Sequence, residues 1–362
     1  MLNVENPVAV TGANGYVASQ LVRALLLEGF TVHGTVRNPR DERKLAHLRQ
    51  MSDANGGRLR LFAADLSTSS GFDDAFERCS VVFHTASPFT TGTPEDPEAS
   101  LVTPAVQGTR NVLEAVNRAN DVRRVVLTSS CAAIYGDARD MTDRGLSVFT
   151  EEHWNESSSL TREPYSYSKT LAERAAWEAA KAQDRWSLVA VNPAFIIGPG
   201  VGAHAESTSN QVIQQLADGT NALGVPDLRL ATVDVRDVAF AHVEAARRPG
   251  ASGRYILTEG THSLKEMADA LRARFGSKLD LPQRVLPKFL VWLVGPSRGI
   301  ERGFISRNVG FDFRFDTSKA RRELGVQFRP LAESLVDHVE QLIETGRVAP
   351  AGSPGRTPRS AS

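Results

Sequence analysis

The sequence predicts an α/β fold: a doubly wound parallel sheet with a smaller mixed domain at the C-terminal end. Three observations carry that prediction. Over the first two-thirds of the chain, short β-branched runs alternate with longer stretches of helical periodicity, the pattern of βαβ units. A glycine-rich turn, Thr11-Gly12-Ala13-Asn14-Gly15-Tyr16-Val17-Ala18, follows the first run and opens the first helical stretch. Beyond Pro193 the alternation loosens, and Pro193, Gly198, Pro199, Gly200 and Gly202 mark a backbone that turns repeatedly.

Taken in order, strands are expected at 8–11, 31–35, 59–63, 81–84, 124–128 and 188–191, each bounded by Gly, Pro, Asp or Ser. Amphipathic stretches at 16–28, 104–120 and 165–183 supply the intervening helices, and Gly29 stops the first of them. This is a Rossmann-type topology. The stretch 234–248 returns to a helical pattern, with Asp234 and Asp237 spaced as an N-terminal capping pair. Short helices, an apolar run at 286–294 and an end helix at 331–344 make up the smaller domain. The expected division is a dinucleotide-binding domain over 1–192, rejoined by 228–260. A substrate-binding domain covers 193–227 and 261–346, and 347–362 forms a Pro/Gly/Ser/Arg tail too poor in apolar residues to pack.

Composition narrows the function classes. With 41% hydrophobic and 23% charged residues over 362 positions, a sizeable core is available, which excludes a mainly disordered or collagen-like chain. Lys plus Arg and Asp plus Glu are 42 each, so no net charge draws the chain to nucleic acid or to an acidic membrane. Two cysteines, Cys79 and Cys131, cannot build a disulfide framework and fit a reducing compartment. Residues 1–10 show no secretory signal, and Pro287 and Lys288 interrupt the apolar run 285–294. A bilayer span needs about 20 residues. A soluble cytoplasmic protein is expected.

The glycine turn carries the first chemistry. Glycines let the backbone approach a pyrophosphate, which then rests on unpaired N–H groups at a helix N-terminus, here within Thr11, Gly12, Asn14, Gly15, Tyr16 and Val17. The second strand ends Gly34-Thr35-Val36-Arg37, with no acid before Asp41 to hold a ribose 2′-hydroxyl. Arg37 instead offers a planar cationic fork for a 2′-phosphate, and Lys44 adds a second charge, so NADP(H) is expected over NAD. Tyr165 and Lys169 lie four residues apart on one helical face. An ammonium beside a phenol favours the phenolate, which makes the phenol a usable proton donor to a carbonyl oxygen. Ser129 and Ser130 end a predicted strand, at the edge where open α/β sheets place ligands.

Together these motifs resemble the extended short-chain dehydrogenase/reductase family over residues 6–346. Ala64-Asp65-Leu66, Val82-Phe83-His84-Thr85-Ala86-Ser87-Pro88 and Val191-Asn192-Pro193 extend the likeness. Gly34-Thr35-Val36-Arg37-Asn38-Pro39 and the run from Tyr165 to Trp177 look most like the dihydroflavonol-reductase-like branch of aldehyde and ketone reductases. The resemblance implies a catalytic triad of Ser130, Tyr165 and Lys169. It places Asp65 and Leu66 beside the adenine, Thr85, Ala86 and Ser87 along the pyrophosphate and ribose, and Pro193 and Ile196 at the nicotinamide. Two departures limit the substrate. Tyr135 stands where plant flavonol reductases carry an asparagine, which does not support a flavonoid. Leu160-Thr161-Arg162-Glu163-Pro164 replaces the Asn-Trp-Tyr-Cys run of cinnamoyl-CoA reductases, which argues against a CoA ester.

The expected activity is NADPH-dependent reduction of a small neutral aldehyde or ketone, with a homodimer as an open option. The pocket walls would be Ser130, Tyr135, Phe195 and part of 286–304, with Cys131 a small wall residue and His84 structural. Oxidation of a sterol or another secondary alcohol is the alternative direction. A nucleotide-sugar epimerase or dehydratase would want the acid missing after Val36, and a dinucleotide-sensing regulator would not need the Tyr165/Lys169 pair.

Overall fold

Aliphatic strands buried on both faces are what a parallel sheet covered by helices demands, and five of the runs read above meet that demand almost throughout. The computed structural model describes residues 2–88, 95–202 and 208–350. Its main sheet contains β1 (Val8–Val10), β2 (Val32–Val36), β3 (Leu59–Ala63), β4 (Val81–His84), β5 (Arg124–Thr128) and β6 (Ser187–Pro193). A smaller sheet follows with β7 (Phe195–Ile197) and β9 (Arg229–Asp234), while β8 (Val225–Pro226) pairs elsewhere. The strand β10 (Gly253–Leu257) then returns to the main sheet. Seven parallel strands result, in the order β10-β6-β5-β4-β1-β2-β3. The order reverses between β1 and β4, so a crevice opens at their C-terminal ends.

The expected helices are present with small shifts. The first runs Tyr16–Leu27, and Gly29, at φ 91°, turns the chain out of it as a left-handed residue should. The second starts from a wide π turn at Glu98–Val102 and runs Thr103–Arg118. The third runs Pro164–Lys181, with proline in its first turn where its missing N–H costs nothing. Asp234 caps the helix Val235–Arg247 by accepting from Arg236 N at 2.7 Å. Asp237 does not reach back to complete the pair. Its carboxylate accepts from Arg329 N at 2.7 Å and from the Arg329 guanidinium, tying the C-terminal segment down instead.

The return to the main sheet is narrower than 228–260. The helix Val235–Arg247 packs on Tyr16–Leu27 and β10 joins β6, but β9 lies between β7 and β11 (Gly260–Ser263) in a three-stranded sheet. The second core gathers Ile213, Met267, Leu271, Leu335 and Val339 from the helices Thr208–Ala217, Leu264–Phe275 and Leu331–Glu344. The ordered body also runs past 346. Val348 is buried in that core, because Arg347 N and Val348 N both close onto Leu342 O. Residues 351–362 lie outside the described residues. The apolar run becomes β12 (Val285–Leu286) and the helix Lys288–Val294, which buries only Val291 and leaves Phe289, Trp292 and Leu293 exposed. Among the described residues no helix is long and apolar enough to cross a membrane.

Three histidines are sealed inside this fold as neutral rings. His242 donates from Nδ1 to Val238 O and accepts at Nε2 from Thr128, and His338 accepts from Gly198 N and donates to Asn210. Burial pulls His84, His242 and His338 down to about 3, 4 and 4. Each folded value lies below the unfolded one of about 6.5, so the unfolded chain takes up protons first. Their stabilisation is complete above that pH and is lost as pH falls toward 4. Folding stability should therefore drop from pH 7 to pH 5, by up to about 1.4 kcal/mol per pH unit for each ring. Equal urea midpoints at the two pH values would refute this.

Candidate functional site

The crevice is assembled from the loops after β1 and β4, the end of β5, and the exposed face of the helix Pro164–Lys181. Gly12 takes φ 65°, and a Cβ there would lie 3.1 Å from Ala86 Cβ, so the turn and the β4 loop touch at their closest only because this position is glycine. Thr35 pins the turn to β2, its Oγ1 accepting from Gly12 N at 3.1 Å and its carbonyl from Ala13 N at 2.9 Å. Thr11 Oγ1 accepts from the N–H groups of Thr85 and Ala86 at 3.1 and 3.0 Å and gives its own proton to His84 Nδ1. Burial and this bond hold the His84 ring in place.

No side chain caps the helix that starts at Tyr16, which leaves its first N–H groups pointing into the crevice. That uncapped terminus and the Gly12 approach fit a pyrophosphate. The Tyr16 hydroxyl is buried and donates to Gly198 O at 2.5 Å, so only its backbone N–H is left for the crevice. Arg37 and Lys44 stand exposed beyond β2 and make no ion pair among the described residues. Asp65 follows β3, and Leu66 beside it lines the small cavity near Lys169. The Ser67 N–H and hydroxyl, helped by the Arg37 charge, hold the Asp65 carboxyl below its usual range.

Tyr165 is half exposed, and Lys169 Nζ lies 5.6 Å from the centre of its ring. The same ammonium donates to Ser87 Oγ at 2.8 Å, which joins the helix to the β4 loop. A cavity of about 20 Å³ with a mixed lining opens beside Lys169, bounded by His84, Ser87, Ser129 and Glu173 together with Leu66, Leu127 and Ala172. A larger hollow of about 430 Å³ lies beside β3, between Pro39, Arg49 and Leu61, and touches none of these groups. The two serines after β5 separate cleanly. Ser129 is buried and donates to Glu173, whereas Ser130 is half-buried, accepts from Ala132 N at 3.1 Å and keeps its own proton to give. Pro193 ends β6 in a buried position, and Ile196 lies half-buried on β7.

The approach to Tyr165 is charged. Glu163 takes a left-handed backbone (φ 50°), an uncommon state for this residue type, and burial with Asp137 and Glu301 nearby pushes its carboxyl up to about 7. Asp137 in turn accepts from Arg162 and from Arg307 Nε, at 2.8 Å from each Nε.

Two residues expected as walls, Tyr135 and Phe195, are half-buried and lean on the neighbouring cores. Tyr135 stacks on Phe313 at 4.9 Å and meets Phe149 and Phe315, and Phe195 packs with the second core. Cys131 is buried and donates to Asn192 O at 3.2 Å, with burial raising its thiol far above the range of a nucleophile. The sequence reading missed the buried group of Glu173, Asn192 and Arg254 beneath Ser130. The spacing of Glu173, four residues past Lys169 on the same helical face, is the signal that points to it.

The model of the NAD dependent epimerase/dehydratase family matches residues 8–257. The chain belongs to that family. It is 36% identical over 345 residues to cinnamoyl-CoA reductase CAD2 of Medicago truncatula, covering 94% of this chain and 97% of that protein. Tetraketide alpha-pyrone reductase 1 of Arabidopsis thaliana is also 36% identical, over 348 residues, with 96% of this chain and 98% of the relative covered. Among solved structures, yeast methylglyoxal/isovaleraldehyde reductase Gre2, complexed with NADPH, superposes with a TM-score of 0.75 at 28% identity. That match covers 94% of this chain and all of the other.

Proposed function

We propose that this chain is an NADP(H)-dependent oxidoreductase that reduces small aldehydes or ketones to alcohols. One observation carries the reading: Tyr165 and Lys169 present one exposed helix face at the crevice, with Lys169 bonded to Ser87 beside the Gly12 turn. The named relatives are reductases, and Gre2 was crystallised with NADPH, which supports the cofactor and the reaction class. NADPH, when bound along the Gly12 turn and Ser87, would supply the hydride that the carbonyl carbon accepts. As the C=O π bond breaks, its oxygen takes the phenolic proton of Tyr165, and the Lys169 ammonium stabilises the phenolate that remains. Ser130 donates a hydrogen bond to the same oxygen and orients it. A cytoplasmic, reducing setting fits the buried free thiols of Cys79 and Cys131.

The test is NADPH oxidation with a benzaldehyde-type compound, an aliphatic ketone, a hydroxycinnamoyl-CoA thioester and a UDP-hexose, run side by side. Turnover of the free carbonyl compounds is expected. Turnover of the sugar nucleotide alone would overturn the reading, and turnover of the thioester alone would move the substrate class to that of the cinnamoyl-CoA reductases.

Cofactor choice gives a separate check. Arg37→Ala should weaken NADPH binding by about ten- to a hundredfold, since a charge-assisted bond to phosphate contributes about 1.5–3 kcal/mol, and should leave NADH binding as it was. Equal loss for both cofactors would make Arg37 structural.

A further inference from the structure

Glu173 is a buried carboxylate that the chemistry above does not use. It lies one turn beyond Lys169 and is 1% exposed. Its Oε1 accepts from Arg254 Nε at 2.6 Å and from Trp177 Nε1 at 3.1 Å. Its Oε2 accepts from Asn192 Nδ2 at 2.8 Å and from the Ser129 hydroxyl. Arg254, on β10 and 6% exposed, spends its other N–H groups on Glu151 O, His153 O and Ala133 O, and its guanidinium stacks 4.0 Å from the Trp154 ring centre. Both charges are paired and hydrogen-bonded, which favours a rigid arrangement, and within the group Asn192 Oδ1 alone is buried without a partner.

The partners are not scattered. Asn192 Nδ2 donates to Ser130 O at 3.1 Å as well as to Glu173, and Cys131 Sγ donates back to Asn192 O. Ser129, Ser130, Cys131 and Ala133 are thus each tied to the ion pair, directly or through Asn192 alone. Two well-packed apolar side chains would stabilise the fold as much as a buried pair does, or more. The donors and acceptors instead join the segment that carries Ser130 to the helix that carries Tyr165, Lys169 and Glu173.

We propose that Glu173, with Arg254 as its counter-ion, is a positioning residue that sets Ser130 for the carbonyl oxygen. It touches no reacting atom. The inference rests on the roles proposed above for Ser130 and Tyr165.

A double-mutant cycle tests it. Glu173→Gln keeps the shape but turns one acceptor oxygen into a donor facing other donors. Its kcat should fall about tenfold, with the NADPH dissociation constant within about twofold of wild type, while Ser130→Ala should lose about a hundredfold. Because Glu173 acts through Ser130, the double variant should be no worse than Ser130→Ala. A product of the two losses, about a thousandfold, would mean two independent effects and overturn the proposal. Should Glu173→Gln fail to fold, Ser129→Ala removes only a hydroxyl that contacts Glu173, and the same cycle with Ser130→Ala decides by the same criterion. Wild-type kcat in Glu173→Gln beside a crippled Ser130→Ala would sink the positioning role alone. Wild-type kcat in Ser130→Ala would remove the triad assignment and the positioning role together.

Discussion

Tyr165→Phe is expected to abolish turnover while NADPH still binds with nearly unchanged affinity. The phenylalanine ring keeps the half-exposed place of the tyrosine and its contact with the Lys169 ammonium, so the cofactor crevice is undisturbed. Only the transferable proton is lost. General acid catalysis is worth about 10²–10⁴-fold, and a loss in that range on kcat is the expected reading. Tyr167→Phe is the control, since Leu171 occupies the position four residues on and gives Tyr167 no ammonium partner at that spacing. Near-normal activity in Tyr165→Phe with loss in Tyr167→Phe would reassign the acid.

Arg254→Met should destabilise the fold by about 3–5 kcal/mol, because it strands the Glu173 carboxylate in the interior without its counter-ion. That is a large share of the roughly 5–15 kcal/mol that holds a typical fold together. Urea denaturation reads it directly. The companion variant Glu173→Leu with Arg254→Met removes the stranded charge and should regain about half of the loss. The remainder reflects the carbonyls of Glu151 and His153, which still lack their donor. If the pair of substitutions were as unstable as Arg254→Met alone, the charge would not be the cause. The double variant should also stay catalytically weak, which separates stability from the setting of Ser130.

Strands β1, β4, β5 and β6 were legible because their runs are largely apolar on both faces, a pattern that needs no knowledge of partners. β10 was not, because Arg254 and Tyr255 break its run with groups that belong inside only through Glu173 and Glu323, which lie far away in sequence. The Tyr165/Lys169 face was legible because helical spacing is local. Adjacent Ser129 and Ser130 look alike in the sequence, and only the position of Glu173 distinguishes the committed hydroxyl from the available one. The packing partners of Tyr135 and Phe195 were not legible, because an aromatic residue carries no direction in sequence. Phe313, Phe149 and Phe315 claim the first, and the helices of the second core claim the other.

The late arrival of β10 has a consequence for how the protein is made. As the chain leaves the ribosome, β1 to β6 emerge with β6 as an open edge, and the strand that closes it follows only after β7, β8 and β9 of the smaller sheets. Until then one side of β6 displays unpaired N–H and C=O groups, the kind of edge that recruits other chains. Glu173 waits in the same interval for Arg254. The half of the molecule that carries the glycine turn is therefore not a unit that translation can complete early. A fragment stopped near residue 227 should be insoluble where one extended beyond Leu257 is not, and nascent chains should depend most on chaperones between those two lengths.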